Sequence, residues 1–121
     1  MNFAAAGLVA SLLVAIALPP GVIEASDRDP VRITSVSLSA QTLHSGDVVV
    51  AHVVTTSNAA AVTAQVGTFR VLIPKTKPGI FESAMVVPRV PFIFRTTHQI
   101  IFTAIRTDGA SVSRSLSIKL R

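Results

Sequence analysis

The hydrophobic residues of this chain follow two different patterns. The first eighteen residues contain no charged side chain and run through Ala, Leu, Val and Ile to a Pro-Pro-Gly sequence at residues 19–21. Beyond residue 30, short segments alternate apolar and polar residues and are separated by turn-forming residues. This later part shows no helical period. The pattern predicts an apolar N-terminal segment followed by an all-β domain.

The N-terminal segment has the features of an export signal. A secretory signal has an apolar core of about 7–15 residues, whereas a membrane span needs about 20, and the Pro-Pro-Gly sequence intervenes before that length. We predict a signal helix within a signal peptide over residues 1–25, with cleavage after Ala25. Ala15 and Ala17 are a better small-x-small match, but a cut there would fall inside the apolar run.

Two alternatives to a cleaved signal follow from the same residues. No Lys or Arg precedes the apolar run, so the segment also fits an uncleaved membrane anchor over residues 3–23. The other alternative is that the N-terminal segment is part of the folded domain. The signal predicts a secreted protein, in the periplasm or at the cell surface, and the anchor a membrane-attached one.

The remaining chain predicts a polar linker at residues 26–30 and one β domain at residues 31–121. The segment VVVAHVVTT at residues 48–56 is apolar on both faces, which is typical of a central strand. Residues 74–79 predict a loop, and residues 88–95, with two prolines, an edge or crossover segment. The seven predicted strands are residues 31–39, 48–56, 61–66, 69–73, 80–87, 98–107 and 112–120.

The last two strands predict a hairpin with a defined register. A three-residue loop at residues 108–110, with glycine in the left-handed region, places Phe102 opposite Leu116 and Ile100 opposite Ile118. These large apolar pairs favour this register over one with a two-residue loop. The hairpin therefore directs one apolar face into the core.

Three segments resemble bacterial immunoglobulin-like and fibronectin-III-like modules. SGDVVVAHV at residues 45–53 is similar to their strand B, and IIFTAIRTDG at residues 100–109 to their F strand and F–G turn. GIF at residues 79–81 resembles the start of a mid-domain strand. The resemblance implies an antiparallel seven-stranded Greek-key sandwich in which Ala51 and Ala104 take the two positions of the usual disulfide.

Composition narrows the partners of such a domain. The chain has no Cys, Trp or Tyr, so its core has no disulfide, and the usual aromatic anchors of binding surfaces are missing. The net charge is +5, and nine of the eleven basic residues lie at or after Arg70. This balance favours anionic partners.

Five basic residues form the candidate binding surface. Loops that share one end of the sandwich would join them into a basic rim for acidic glycans or membrane headgroups. The alternative is a solvated basic surface that keeps the protein soluble. The candidate residues are Arg70, Lys75, Lys77, Arg89 and Arg95.

The phenylalanines argue against specific nucleic-acid binding, which needs exposed aromatic side chains for base stacking. Phe69, Phe81 and Phe102 are expected in the core. Phe92 and Phe94 are expected to pack in the core as well, with an exposed apolar wedge as the alternative.

Catalytic and metal-binding patterns are missing from the sequence. It has no Gly-x-Ser-x-Gly elbow, no HExxH motif and no cysteine nucleophile. His44, His52 and His98 fall on different predicted elements, so we do not expect them to converge on a metal. We predict neither enzymatic activity nor a cofactor.

These observations predict a non-enzymatic exported module that makes adhesive or structural protein contacts in the periplasm or at the cell surface. The alternative is a module that binds acidic glycans or membrane headgroups through the basic rim. A third hypothesis is polymerisation by strand addition, with residues 31–39 as the donated strand.

Overall fold

A computed structural model describes residues 18–89 and 91–121 of the chain. Most of the predicted signal segment, residues 1–17, lies outside these residues. The described part contains a 3₁₀ helix at Phe92–Phe94, and none of its helices has the length and apolarity needed to cross a membrane. Its nine strands are β1 Ile33–Leu38, β2 Thr42–Leu43, β3 Val48–Thr55, β4 Ala61–Val66, β5 Phe69–Ile73, β6 Lys75–Lys77, β7 Ile80–Val86, β8 Thr97–Ile105 and β9 Ser111–Leu120.

The strands form two sheets that enclose one core. Sheet one has the order β1-β3-β7-β6, and sheet two has the order β2-β9-β8-β4-β5. Fully buried side chains come from both, including Val53 and Phe81 from sheet one and Val62 and Phe102 from sheet two. The prediction of an all-β sandwich is confirmed.

The prediction of seven strands is wrong, because the described residues form nine strands and one isolated bridge. β2 was missed because only two residues pair, and they pair in parallel with distant β9. β6 was predicted as a loop because its sequence is Lys-Thr-Lys, but charged residues are common on edge strands, where they discourage pairing with other chains. The hypothesised donor segment instead forms β1, which pairs with β3 of the same chain.

The β8–β9 hairpin has the predicted inward face but a different register. Ile100 lies opposite Leu116 and Phe102 opposite Arg114, a shift of two residues from the prediction. The shift arises because the turn starts one residue earlier, where the Arg106 N–H donates to the Ala110 carbonyl at 2.7 Å. A shift of two residues leaves each side chain on its original face.

The segment before β1 packs on the outer face of sheet one. Residues 19–22 form a turn with Gly21 at φ +86° and a 3.2 Å hydrogen bond from the Val22 N–H to the Pro19 carbonyl. The turn lies against Val54 near the end of β3. The Ile23 carbonyl then accepts a 2.8 Å hydrogen bond from the Ser57 N–H. The folded unit therefore includes residues that we assigned to the signal peptide.

Asn58 attaches the predicted linker to the sandwich. It is 8% exposed, and its side-chain amide donates to the carbonyls of Ser26 at 2.9 Å and Asp29 at 2.8 Å. Its oxygen accepts a 2.6 Å bond from the Thr56 hydroxyl. Arg106 also donates to the Asp29 carbonyl, at 2.7 Å. Residues 26–29 are thus fixed to the domain by their backbone carbonyls.

Candidate functional site

The two sheets separate at one end of the sandwich and leave an open cavity of about 400 Å³. Its walls come from both sheets, with Val49 and Met85 on one side and Ile100 and Ile118 on the other. The start of β5 and the connection between β7 and β8 surround the opening. The volume lies within the range of about 300–1,000 Å³ that is usual for small-molecule sites.

The cavity lining is almost entirely apolar. Among the described residues that line it, the ionisable side chains are Arg89 and His98, and none is acidic. His98 is half-buried, and its Nε2 lies 2.9 Å from the Phe94 carbonyl oxygen, so it helps to fix the neighbouring turn. Arg89 is exposed. The cavity therefore combines apolar walls with a permanent positive charge.

The connection between β7 and β8 crosses from one sheet to the other beside this cavity, as predicted for a crossover segment. Pro91 precedes the 3₁₀ helix at Phe92–Phe94, and the helix has no buried residue. The Phe94 N–H donates to the Pro91 carbonyl at 2.9 Å, and the Arg95 N–H donates to the Phe92 carbonyl at 3.1 Å. These bonds hold a tight turn that projects beyond the core.

Exposed apolar side chains occupy the tip of this turn. Phe92 is 81% exposed and Ile93 is 77% exposed, and Phe94 is also exposed while lining the cavity. The expectation that Phe92 and Phe94 pack in the core is wrong, and the alternative of an exposed wedge is observed. Pro88 and Pro91 explain the difference, because a proline has no N–H to donate to a neighbouring strand. The chain therefore leaves sheet one at the end of β7, and the aromatic side chains lie beyond both sheets.

Of the other described phenylalanines, two are buried in the core and one is exposed. Phe81, the second residue of β7, and Phe102, in the middle of β8, are fully buried, as predicted. Phe69 is 54% exposed, contrary to prediction, because it opens β5 at the cavity mouth. An inward-facing side chain at this end of a strand lies beside the cavity instead of within the core.

The five predicted basic residues do not form a single rim. Arg89 lines the cavity and Arg95 directly follows the exposed turn. Arg70 lies near the same end, but on the outer face of β5. Lys75 and Lys77 lie at the opposite end, because β6 pairs with the first two residues of β7, whereas the cavity lies at its last residues. Arg89 and Arg95 therefore flank the apolar turn without the two lysines.

The three histidines have separate local partners. The part of the chain in the structure contains no group of three or more His, Cys, Asp or Glu residues placed to hold a metal ion. The partners are Asp47 for His44 at 3.4 Å, Glu82 for His52 at 3.0 Å and the Phe94 carbonyl for His98 at 2.9 Å.

No protein-family model and no curated protein matches this chain. Its apolar cavity, exposed turn and adjacent arginines suit a ligand that is both apolar and anionic. A sequence signal for this site does exist, since residues 89–95 read Arg-Val-Pro-Phe-Ile-Phe-Arg, an apolar segment with an arginine at each end.

Proposed function

We propose that the protein is an exported, non-enzymatic immunoglobulin-like module that attaches to anionic membrane surfaces through its exposed apolar turn. The strand order supports the immunoglobulin-like assignment. The order β1-β3-β7-β6 corresponds to strands A-B-E-D of that fold, and β9-β8-β4-β5 corresponds to G-F-C-C′. The apolar N-terminal segment supports export.

The observation that carries the membrane proposal is the exposed Phe92 and Ile93 between Arg89 and Arg95. Apolar side chains of surface-bound proteins enter the boundary between headgroups and acyl chains. Each nearby arginine adds about 1 kcal/mol of attraction to an anionic surface. The sequence has no acidic residue between Glu82 and Asp108, so none in this stretch repels lipid phosphates.

The shape of the turn favours a bilayer over a protein as its partner. A protein interface needs shape complementarity to match its apolar side chains. The 3₁₀ helix instead projects outward with none of its residues buried. A fluid acyl layer accepts such a projection without a preformed pocket. The two arginines then lie at the depth of the headgroups.

Insertion of the turn can be tested with single tryptophans, since the chain has none of its own. Ile93→Trp is placed at the tip, and Leu72→Trp, at an exposed position on the outer face of β5, is the matched control. Vesicles contain equimolar phosphatidylglycerol and phosphatidylcholine, with or without bromine on the acyl chains. We expect a blue shift and bromine quenching for Ile93→Trp only. Equal emission with and without vesicles would contradict the proposal.

A second candidate function, protein contact by strand addition, is favoured by the outer edge of β9. On that side only Thr42 and Leu43 of the described residues form a strand pair, at Lys119 and Leu120. The Lys119 N–H points outward to the Gln41 carbonyl at 2.7 Å. Because backbone direction alternates along a strand, Ser113 and Ser115 also direct their backbone groups outward.

The simplest partner for this edge is a second copy of the chain, with the two β9 strands paired across a two-fold axis. Ser115→Pro removes an outward N–H and leaves the β8–β9 ladder intact. We expect a concentration-dependent dimer for the wild type in sedimentation velocity and a monomer for Ser115→Pro. Identical sedimentation of the two proteins would exclude this contact.

A further inference from the structure

We propose that the cavity binds one acyl chain of an anionic amphiphile, with its carboxylate or phosphate at Arg89. The proposal rests on the proposed function, because it assigns a ligand to the same end of the sandwich. A free fatty acid and a membrane lipid share this chemistry. Both present an apolar chain that ends in an anionic oxygen group.

The inner walls provide the contact that an acyl chain needs. Val49, Ala64, Ile100 and Ile118 are buried core residues that also line the cavity, so it extends from the surface to the interior between the sheets. Each methylene transferred from water to such surroundings contributes about 0.8 kcal/mol. A polar ligand would leave its hydrogen-bonding groups without partners there.

Arg89 determines which end of the ligand lies at the opening. It is exposed and belongs to the residues lining the cavity. A guanidinium can donate two parallel hydrogen bonds to a carboxylate or phosphate and keeps its charge at any physiological pH. The other ionisable side chain among the described lining residues, His98, is bonded to the Phe94 carbonyl. Arg89 is therefore the cation we assign to the ligand headgroup.

Phe94 connects the cavity to the membrane-facing turn. It lines the cavity, while Phe92 and Ile93 of the same 3₁₀ helix project to the outside. A turn inserted in the headgroup region therefore brings the opening to the depth where acyl chains begin. This arrangement allows a lipid chain to move from the bilayer into the cavity without crossing bulk water.

Binding can be measured by calorimetric titration of the full chain with dodecanoate below its micellar concentration. Val71→Phe places a ring at a cavity-lining position, and Leu72→Phe makes a similar change on the opposite face of the same strand. We expect Val71→Phe to weaken binding at least tenfold and Leu72→Phe to leave it unchanged. Circular dichroism checks that both variants fold.

The role of Arg89 is tested with Arg89→Gln, which changes an exposed position. We expect it to weaken dodecanoate binding by about tenfold, the loss of one charge-assisted contact, and to leave binding of uncharged dodecanol unchanged. Equal affinity of Arg89→Gln and the wild type for dodecanoate would overturn the headgroup assignment. Equal affinity of Val71→Phe and the wild type would overturn the cavity assignment.

A second arm identifies the source of the ligand and separates this proposal from the previous one. The protein is incubated with the phosphatidylglycerol vesicles, recovered by gel filtration and analysed for bound lipid by mass spectrometry. A phospholipid bound to the wild type but not to Val71→Phe supports the bilayer as source, and dodecanoate binding alone supports a soluble fatty acid. Insertion of Ile93→Trp without binding of either ligand would overturn the acyl-chain proposal and retain the membrane one. Dodecanoate binding without insertion of Ile93→Trp would retain the acyl-chain proposal and overturn the membrane one.

Discussion

Gly79 lies so close to Val22 that a Cβ atom built on Gly79 would be 2.5 Å from Val22 Cγ1. The same Cβ would be 2.9 Å from the Thr55 carbonyl oxygen, and Gly79 has φ +77°. The glycine thus permits both the turn into β7 and the close packing of the N-terminal segment. This contact joins residues of the predicted signal peptide with the ends of β3 and β7, the two inner strands of sheet one.

Gly79→Ala is expected to lower the free energy of unfolding by about 3 kcal/mol, because it adds a steric clash to an unfavourable φ. Gly67→Ala is the control, since Gly67 has φ +57° and nothing within 4 Å of the added Cβ. It should cost only about 1 kcal/mol. Urea denaturation measures both. In the double variant with Val22→Ala, we expect part of the Gly79→Ala loss to be recovered, and strict additivity would refute the contact.

Asn58→Ala is expected to destabilise the domain by about 2 kcal/mol, because it leaves the Ser26 and Asp29 carbonyls without their amide donors. Thermal denaturation measures the loss. Asn58→Asp provides a sharper test, because it keeps the size of the side chain and removes both donors. A stability of Asn58→Asp equal to that of the wild type would show that these bonds are unimportant.

Cleavage after Ala25 should produce a less stable protein than cleavage upstream of Pro19. The shorter product would lose the Ile23 carbonyl bond to Ser57, and the Ala25 N–H would no longer donate to Ser57 Oγ at 2.8 Å. We expect a difference of about 2 kcal/mol between chains starting at Leu18 and at Ser26. Denaturation of the two chains measures this. Equal stability of the two chains would show that these bonds contribute little to the fold.

Stability below pH 4 should depend on Asp108. Its pKa is lowered from 3.8 to about 2, first because the Arg106 guanidinium donates to the carboxylate and second because the Ala110 N–H does so. A carboxyl group whose pKa is lower in the folded state stabilises the protein when the pH is above its unfolded-state pKa. That contribution is lost as the pH falls from about 4 towards 2. We expect Asp108→Asn to show a shallower loss of unfolding free energy across this window. The same slope in Asp108→Asn and the wild type would contradict this role of Asp108.

The two groups of basic residues should differ in their effect on membrane binding. Arg89→Gln is expected to weaken association with anionic vesicles about fivefold, the effect of removing roughly 1 kcal/mol of surface attraction. Lys75→Gln removes the same charge at the opposite end of the sandwich and should have little effect. Cosedimentation at low and high salt gives both values. A larger effect of Lys75→Gln than of Arg89→Gln would indicate that the domain docks by its other end.

The sequence predicted the parts of the fold that depend on local alternation. Residues 48–56 were recognised as a central strand because their β-branched side chains fill both faces, and the inward face of β9 followed from its period of two. The pairing of β2 and the exposure of Phe92 were not predictable in this way. The first depends on contact with a strand more than seventy residues away, and the second on where the core ends.

The candidate site also depends on contacts between distant parts of the chain, which local alternation does not predict. The sequence groups Lys75 and Lys77 with Arg89 and Arg95 because all four lie near prolines. The structure separates the two lysines from the two arginines. Their separation depends on the direction of β7, which starts beside the lysines and ends beside the arginines. The cavity depends on the spacing of two sheets, which no single strand encodes.

The turn at residues 19–22 and the apolar turn at Phe92–Phe94 lie at opposite ends of the domain. Residues 19–22 pack at the end of β3, whereas the cavity lies at its start, and an eight-residue strand is about 25 Å long. Phe92, in the turn beside the cavity, therefore lies at the end of the domain opposite to residues 19–22. A surface that receives Phe92 and any contact made by the N-terminal turn would therefore lie on opposite sides of the domain.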